Sequence, residues 1–463
     1  MDSGFLSHNP YWESITGFVD RDPHLRALKN QAFVYEPSLL WELPTKTPGI
    51  YTIGGGRQIG KTTLLKQWMK YLLEQGTDPR SLFFLTGEMI PDHFTLVHII
   101  QEYLQQASTG PTLRFLIIDE VTYIKDWDQG VKYLADMGML EHVVMVLTGS
   151  DLAFMQEARM RFPGRRGMAD KVDFHLHPLS FFEFITLKLK TEETPPTEIL
   201  FQEFNNYLQH GGFLTAINSQ ALHGKILPSI YRTYSDWVRG DVIKRGKSES
   251  YLREFLIAVM NTYGTQVTWN SLADHTSIDH PQTIQGYAHL LESMDALFVQ
   301  SALMENKLLG APKKAKKIIV KDPFIYHAIR NWMLPSQETR PSLIPAMVEA
   351  CVVSHYQRFY PCFYIKSSGE VDLAYIHDNT FFPIEVKWTQ QLRHKDLQQI
   401  KKYRHGLILT KTLEAGFIGD IPTEPLPLHL YRLGQYWKED HQSLNQFPLR
   451  LRPHIRPHPQ NHR

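Results

Sequence analysis

Residues Gly55-Gly56-Arg57-Gln58-Ile59-Gly60-Lys61-Thr62 fit the spacing G-x-x-x-x-G-K-[ST] without a gap. Glycines here let successive backbone N–H groups close around phosphates. The lysine brings charge to the β- and γ-phosphates, and the threonine hydroxyl suits a Mg²⁺ ion. The chemistry expected of this stretch, continued by Thr63, is therefore binding of ATP with Mg²⁺. An apolar run, "GIYTI", ends just before the loop and an amphipathic helix starts inside it. The helix N-terminus adds its own positive dipole end.

Such a loop needs an acidic partner at the end of another strand. "LRFLIIDE" supplies Asp119 to hold Mg²⁺ through its water shell and Glu120 beside it. Paired acids after a buried strand are costly unless a metal or water uses them, and the second can act as general base toward water. The run "HVVMVLTGS" ends in Thr148, placed to touch the γ-phosphate or the water. Arg161, Arg165 and Arg166 in "RMRFPGRRG" form either a solvated loop or the source of an arginine finger, with Arg165 assigned to the nucleotide. The finger can act in cis or come from a neighbouring copy.

A second constellation lies near the C-terminus. "EVDLAYIHDNTFFPIEVKW" places Asp372 on one strand and Glu385 and Lys387 on the next. Strand alternation puts Glu385 and Lys387 on one face, with Val386 turned to the core. Asp372 and Glu385 are suited to one Mg²⁺, Glu349 on a preceding helix completes the acidic shell, and Lys387 orients or deprotonates water. This order and spacing resembles the D-(x)n-E-x-K pattern of PD-(D/E)xK nucleases. Such a fold serves either as an active nuclease or as a binding or regulatory module. Lys313, Lys314, Lys316 and Lys317 in "APKKAKK" fall near a hairpin, where they would contact DNA phosphates or simply face solvent. Helix "HPQTIQGYAHLLESM" would either lead Gln282, Thr283 and Gln285 into a major groove or pack the domain.

The elements that must position these residues are legible as periodicity. Short apolar runs alternate with helical stretches over the first 180 residues or so, which argues for a mostly parallel sheet covered on both faces. The helix "KTTLLKQWMKYLLEQG" is expected to stop at Gly76. "LKTEETPPTE" is charged and proline-bearing, as a boundary loop is. Three helices and a returning strand pair then outline a winged helix, after a largely helical stretch. A small α/β unit follows, with a helix "KDLQQIKKY" and a strand "HGLILT". The basic, Pro- and His-rich end reads as poorly ordered. The expected division is 1–190, 191–335, 336–440 and a tail at 441–463.

The bulk composition excludes several classes. Across 463 residues, 43% are hydrophobic and 21% charged, as in a globular protein rather than a disordered one. A net charge of +1 excludes a uniformly basic surface, so any DNA contact must be a local patch. Cys351 and Cys362, the only cysteines, leave no disulfide framework. The N-terminus lacks a secretory pattern and the apolar runs are strand-sized, so the expected location is cytoplasmic, without a membrane span.

Together these motifs resemble the prokaryotic AAA+-like P-loop ATPases that carry an uncharacterised C-terminal domain. The resemblance runs from "FVDRD" through "GRQIGKTTLLKQ", "IIDEVTYIKDW", "TGS", "LHPLSFFEF", "YLQHGGF" and "WVRGDVIKR" to "IEVKW". It implies an α/β P-loop domain with a parallel sheet, a helical winged-helix-like domain, and a small α/β restriction-endonuclease-like domain. Two functional expectations follow. One is a Mg²⁺-dependent ATPase coupled to a DNA-binding, DNA-cleaving module. The other is a nucleotide-switched protein-interaction ATPase with a silent tail. Monomer and homo-oligomer both satisfy the motifs.

Overall fold

A computed structural model describes residues 8–106, 113–150, 154, 160–191, 193–334, 341–367, 369–389 and 397–442. The chain forms two compact units. One runs to His177 and includes Ser293–Asp295; the other comprises Pro178–Glu292 and the chain from Ala296 onward.

In the first unit, β1 (Gly49–Gly54) leads through the glycine loop into α1 (Lys61–Glu74), followed by β2 (Leu82–Thr86) and α2 (His93–Gln106). Then come β3 (Arg114–Asp119), α3 (Trp127–Asp136), β4 (Val143–Thr148) and β5 (Asp173–His175). The five strands are parallel, in the order β2-β3-β4-β1-β5. All of β1 and β4 is buried, as is β3 beyond Arg114, because both faces of the sheet are covered. Each Leu, Ile or Val taken wholly out of water here contributes about 1.5–3 kcal/mol. That outweighs weak local propensity and explains why continuous apolar runs, rather than alternation, marked these strands. Gly76 ends α1 as expected, with φ 88° and its N–H on the Leu73 carbonyl. β5 is only three residues long.

The second unit begins with α4 (Phe181–Leu189), whose N-terminus is a capping box between Ser180 and Glu183. Next are α5 (Thr197–His210), α6 (Leu214–His223), α7 (Pro228–Lys244), α8 (Glu249–Asn261), α9 (Trp269–Ala273) and α10 (Pro281–Ser293). β6 (Leu297–Ser301) and β9 (Lys316–Val320) pair antiparallel, with a small β7 (Leu303–Met304) and β8 (Leu309–Gly310) pair between them. After α11 (Pro323–Met333) and α12 (Ile344–Gln357) comes a six-stranded sheet. Its strands are β10 (Cys362–Lys366), β11 (Glu370–His377), β12 (Thr380–Lys387), β13 (Leu407–Thr410), β14 (Gly416–Ile418) and β15 (Ile421–Pro425). Their order is β10-β11-β12-β13-β15-β14.

Two readings of this unit change. The described part of "KDLQQIKKY" forms only a tight turn at Ile400–Lys402, and residues 390–396 lie outside the described residues. The chain also closes on α13 (Leu426–Gln442), so the expected tail boundary at 441 falls within a helix; residues 443–463 lie outside the described residues. Leu426, Leu430 and Tyr431 are fully buried at i, i+4 and i+5, a helical face that the sequence displayed. No helix among the described residues is long and apolar enough to cross a membrane.

Candidate functional site

Parallel pairing brings the ends of β1, β3 and β4 together, because β4 lies between the other two. The glycine loop leaves β1 through Gly55, whose φ of 148° and tight setting require glycine: a Cβ there would stand 2.6 Å from the Leu176 carbonyl oxygen. Gly56, Arg57, Gln58, Ile59 and Gly60 complete the loop, and Lys61, Thr62 and Thr63 open α1. Arg57 donates to the Tyr123 hydroxyl at 2.5 Å. The Lys61 ammonium donates to the carbonyls of Gly55 and Gly56, at 3.0 and 3.1 Å, and stands 3.5 Å from a Glu120 carboxylate oxygen. Burial lowers its pKa below the usual lysine value, against the pull of Glu120 and Asp119.

Asp119 is the hub of this site. Its Oδ2 accepts from the Thr62 hydroxyl and its Oδ1 from the Thr148 hydroxyl, both at 2.6 Å. Thr148 in turn accepts from the Glu120 N–H at 2.8 Å. Loop, acid strand and the end of β4 are thus locked by side-chain bonds. Glu120 takes a left-handed conformation, φ 51°, and its Oε2 is buried without a hydrogen-bond partner. A buried acid oxygen left unpaired is costly, and costs of this kind concentrate where a ligand or water is handled. The donor set fits Mg²⁺: Thr62 and Asp119 are the hard oxygen ligands that ion takes.

The arginines are placed differently from the sequence expectation. Arg165 is tied to Asp136 of α3 and the Pro163 carbonyl, and Arg161 bonds Asp128. The structure therefore does not bring Arg165 to the nucleotide loop. Arg166 is a brace between strands, donating to the carbonyls of Ile50 and Val172 and to Thr52, and pairing with Asp173 at 2.6 Å.

In the second unit, register places Leu373 opposite Ile384, so Asp372 and Glu385 face each other across β11 and β12. Asp372 Oδ2 accepts from the Val386 N–H at 2.9 Å, and Lys387 pairs with Glu385 Oε1 at 2.5 Å. Glu349 joins them from α12 through an unexpected residue. Lys317 of β9 lies 2.6 Å from Glu349 and 3.5 Å from Asp372, and is paired with Glu370 as well. Burial works against the Lys317 charge, yet Glu349, Asp372 and Glu370 hold its pKa well above the ordinary value. Burial, then the nearness of Asp372, pushes Glu349 and Glu385 up to about 8. Glu385 Oε2 is buried without a partner.

Lys317 was expected near a hairpin, contacting DNA phosphates or facing solvent; instead it is 2% exposed and neutralised by carboxylates. Its neighbours divide. Lys313 and Lys314 are exposed, whereas Lys316 is half-buried, with its ammonium on the carbonyls of Pro312 and Lys314. On α10, Gln282 is exposed and Thr283 and Gln285 are partly so. Sequence reasoning missed Glu370 and Gln300. Gln300 donates to the main-chain oxygen of Asp372 at 3.0 Å, and Gln266 donates to Glu370. Glu370, two residues from Asp372 on the same strand, carried a period-two signal that could have found it.

Fold and site define an ATP-binding P-loop domain of the AAA+-like kind. Residues 47–185 match the family model described as AAA domain. An uncharacterized protein of Haemophilus influenzae is 27% identical over 297 residues, covering 61% of this chain and 70% of that protein. Among solved structures, the Walker-type ATPase PABY2304 of Pyrococcus abyssi is 14% identical, covers 61% of this chain and 91% of its own, and has a TM-score of 0.38. The Orc1 protein of Aeropyrum pernix in complex with DNA is 10% identical over 62% of this chain and 87% of its own, with a TM-score of 0.33. The ATPase assignment accordingly rests on the matched family and on the loop geometry.

Proposed function

We propose that the protein is a Mg²⁺-dependent ATPase whose hydrolysis cycle drives a DNA-binding C-terminal module. The observation that carries the hydrolytic half is Glu120, held at the end of β3 with one carboxylate oxygen buried and unpaired beside Lys61. The backbone N–H groups of the loop and the Lys61 ammonium bind the phosphates, trading the Gly55 and Gly56 carbonyls for phosphate oxygens. Thr62 and Asp119 would hold Mg²⁺, which supplies neutralising charge on the phosphate oxygens. Glu120 orients the attacking water and accepts its proton, and Thr148 fixes the Glu120 backbone. Arg165 would serve as a finger only after leaving Asp136, for this chain or a neighbouring copy. ATP turnover by Lys61→Ala and Glu120→Gln tests the assignment; wild-type rates in both would discard it.

The DNA half is supported by helices α8 to α10 followed by the β6–β9 pair, the outline of a winged helix. It is supported further by Glu349, Asp372, Glu385 and Lys387 gathered in the nuclease-like order. Since Lys317 is withdrawn from solvent, the phosphate contacts fall to Lys313 and Lys314. Removing both lowers the salt dependence of DNA binding by about one counterion each, and an unchanged slope would reject the wing. A second reading, a nucleotide-switched interaction protein with a silent tail, is favoured by one observation: Lys317 already neutralises the acidic shell. Absence of DNA binding, DNA cleavage and DNA-stimulated ATP turnover would select it.

A further inference from the structure

A lysine at the second position of a hairpin strand normally reaches water, since its long stem costs little to extend. Lys317 does the opposite. It lies directly across from Gln300 in the β6–β9 pair, and both side chains converge on Asp372: Gln300 on its carbonyl oxygen, Lys317 on its carboxylate. Asp372 Oδ2 is taken by the Val386 N–H, so Oδ1, the oxygen facing Lys317, is the one left for any other cation. Glu349 also presents Oε1 to Lys317. The lysine of the E-x-K pair, Lys387, is engaged elsewhere, on Glu385 Oε1. Two polar atoms in this cluster remain buried without a hydrogen bond, Glu385 Oε2 and Gln300 Oε1. A structural ion pair selected for stability alone gains nothing from leaving such oxygens unpaired.

Resting on the reading of Glu349, Asp372 and Glu385 as a metal shell, we propose that Lys317 holds the place of a divalent cation there. Metal enters only when the β6–β9 pair withdraws that ammonium. The competition is for the same atoms. A divalent ion on Asp372 Oδ1 and Glu349 Oε1 would stand within contact range of the ammonium, and like charges at that distance repel strongly in a buried setting. The acids therefore carry one cation or the other. The strand pair that carries Lys317 then acts as the regulator of the site, because moving it by one side-chain length exchanges an internal charge for an external one.

The test is a Mn²⁺ titration of the full chain without nucleotide, followed by the electron paramagnetic resonance of free Mn²⁺. Asp372→Asn identifies the signal belonging to this site. Wild type should show little Asp372-dependent binding, and Lys317→Met should gain it at least tenfold in affinity, with Glu349→Gln in the same background removing the gain. Lys317→Gln, which keeps an N–H donor for Glu349, serves if Lys317→Met fails to give a native near-ultraviolet circular dichroism spectrum. Folded variants that bind Mn²⁺ no better than wild type overturn the proposal. Wild type that already binds at this site as tightly as the variants overturns it too, and decides the matter should both variants unfold. Nuclease activity is read separately. A variant that gains Mn²⁺ but leaves DNA intact keeps the cation exchange and defeats the nuclease reading.

Discussion

Two buried lysines, Lys61 and Lys317, stand among carboxylates with opposite electrostatic settings. Lys61 rests on two backbone carbonyls and is 3.5 Å from its nearest acid, and burial depresses its pKa. Lys317 is ringed by Glu349, Glu370 and Asp372, which raise its pKa despite equal burial. A lysine under-compensated by acids is poised to receive anionic phosphate; one that is over-compensated serves as an internal counterion. The same residue type, at the same depth, is a ligand-binding group in one region and a structural or competing cation in the other. The chemistry is set by how many carboxylates face it.

Breaking the first setting should have the largest effect. Lys61→Ala and Glu120→Gln should each lower ATP turnover on the order of 10³-fold, with Glu120→Gln retaining nucleotide binding in an equilibrium assay. Stability separates the two lysines next. Lys317→Met leaves buried acids without their counterion and should cost about 3 kcal/mol in chemical denaturation. Lys61→Met removes a charge that burial disfavours and should cost less stability than Lys317→Met. Equal losses in the two variants would collapse the distinction.

A third expectation is a pH dependence confined to the second unit. His355 accepts the Phe181 N–H on Nε2 and bonds the Cys351 carbonyl through Nδ1, so neither nitrogen can take a further proton without losing a bond. Burial lowers its pKa to about 3, and that of His210 to about 4. Because the folded values lie below the unfolded one, their contribution is complete above about pH 6.5 and is lost as pH falls toward 4. Each should add a slope of about 1.4 kcal/mol per pH unit in that window. His355→Gln should flatten the acid limb of a denaturation-midpoint profile; an unaltered profile would refute the assignment.

The phosphate-loop region was almost wholly legible, because its motif, its strand and its helix are contiguous and the acid pair ends an unmistakable apolar run. Arg165 and Arg166 were not legible: adjacent arginines in one loop read alike, yet one is tied to Asp136 and the other clamps β1 to β5. Gly211 and Gly212 in "QHGGF" hid a similar long-range cause. A Cβ on Gly211 would collide with the Asp322 carboxylate, which accepts the Gly212 and Phe324 N–H groups and is pushed by burial up to about 6.

By itself, then, the sequence determined what depends on neighbours along the chain. That covers the phosphate loop, the Asp119–Glu120 pair, the period-two placement of Glu385 and Lys387, and the alternation that demands a covered parallel sheet. Tertiary structure alone decided the charge environment of each lysine. "KKAKK" presents a uniform basic run, but only β-pairing turns Lys317 inward, opposite Gln300, onto acids that lie 32 and 55 residues away. Burial and Coulomb attraction depend on distance in space. No local reading of those lysines could tell a phosphate contact from a cation locked among carboxylates.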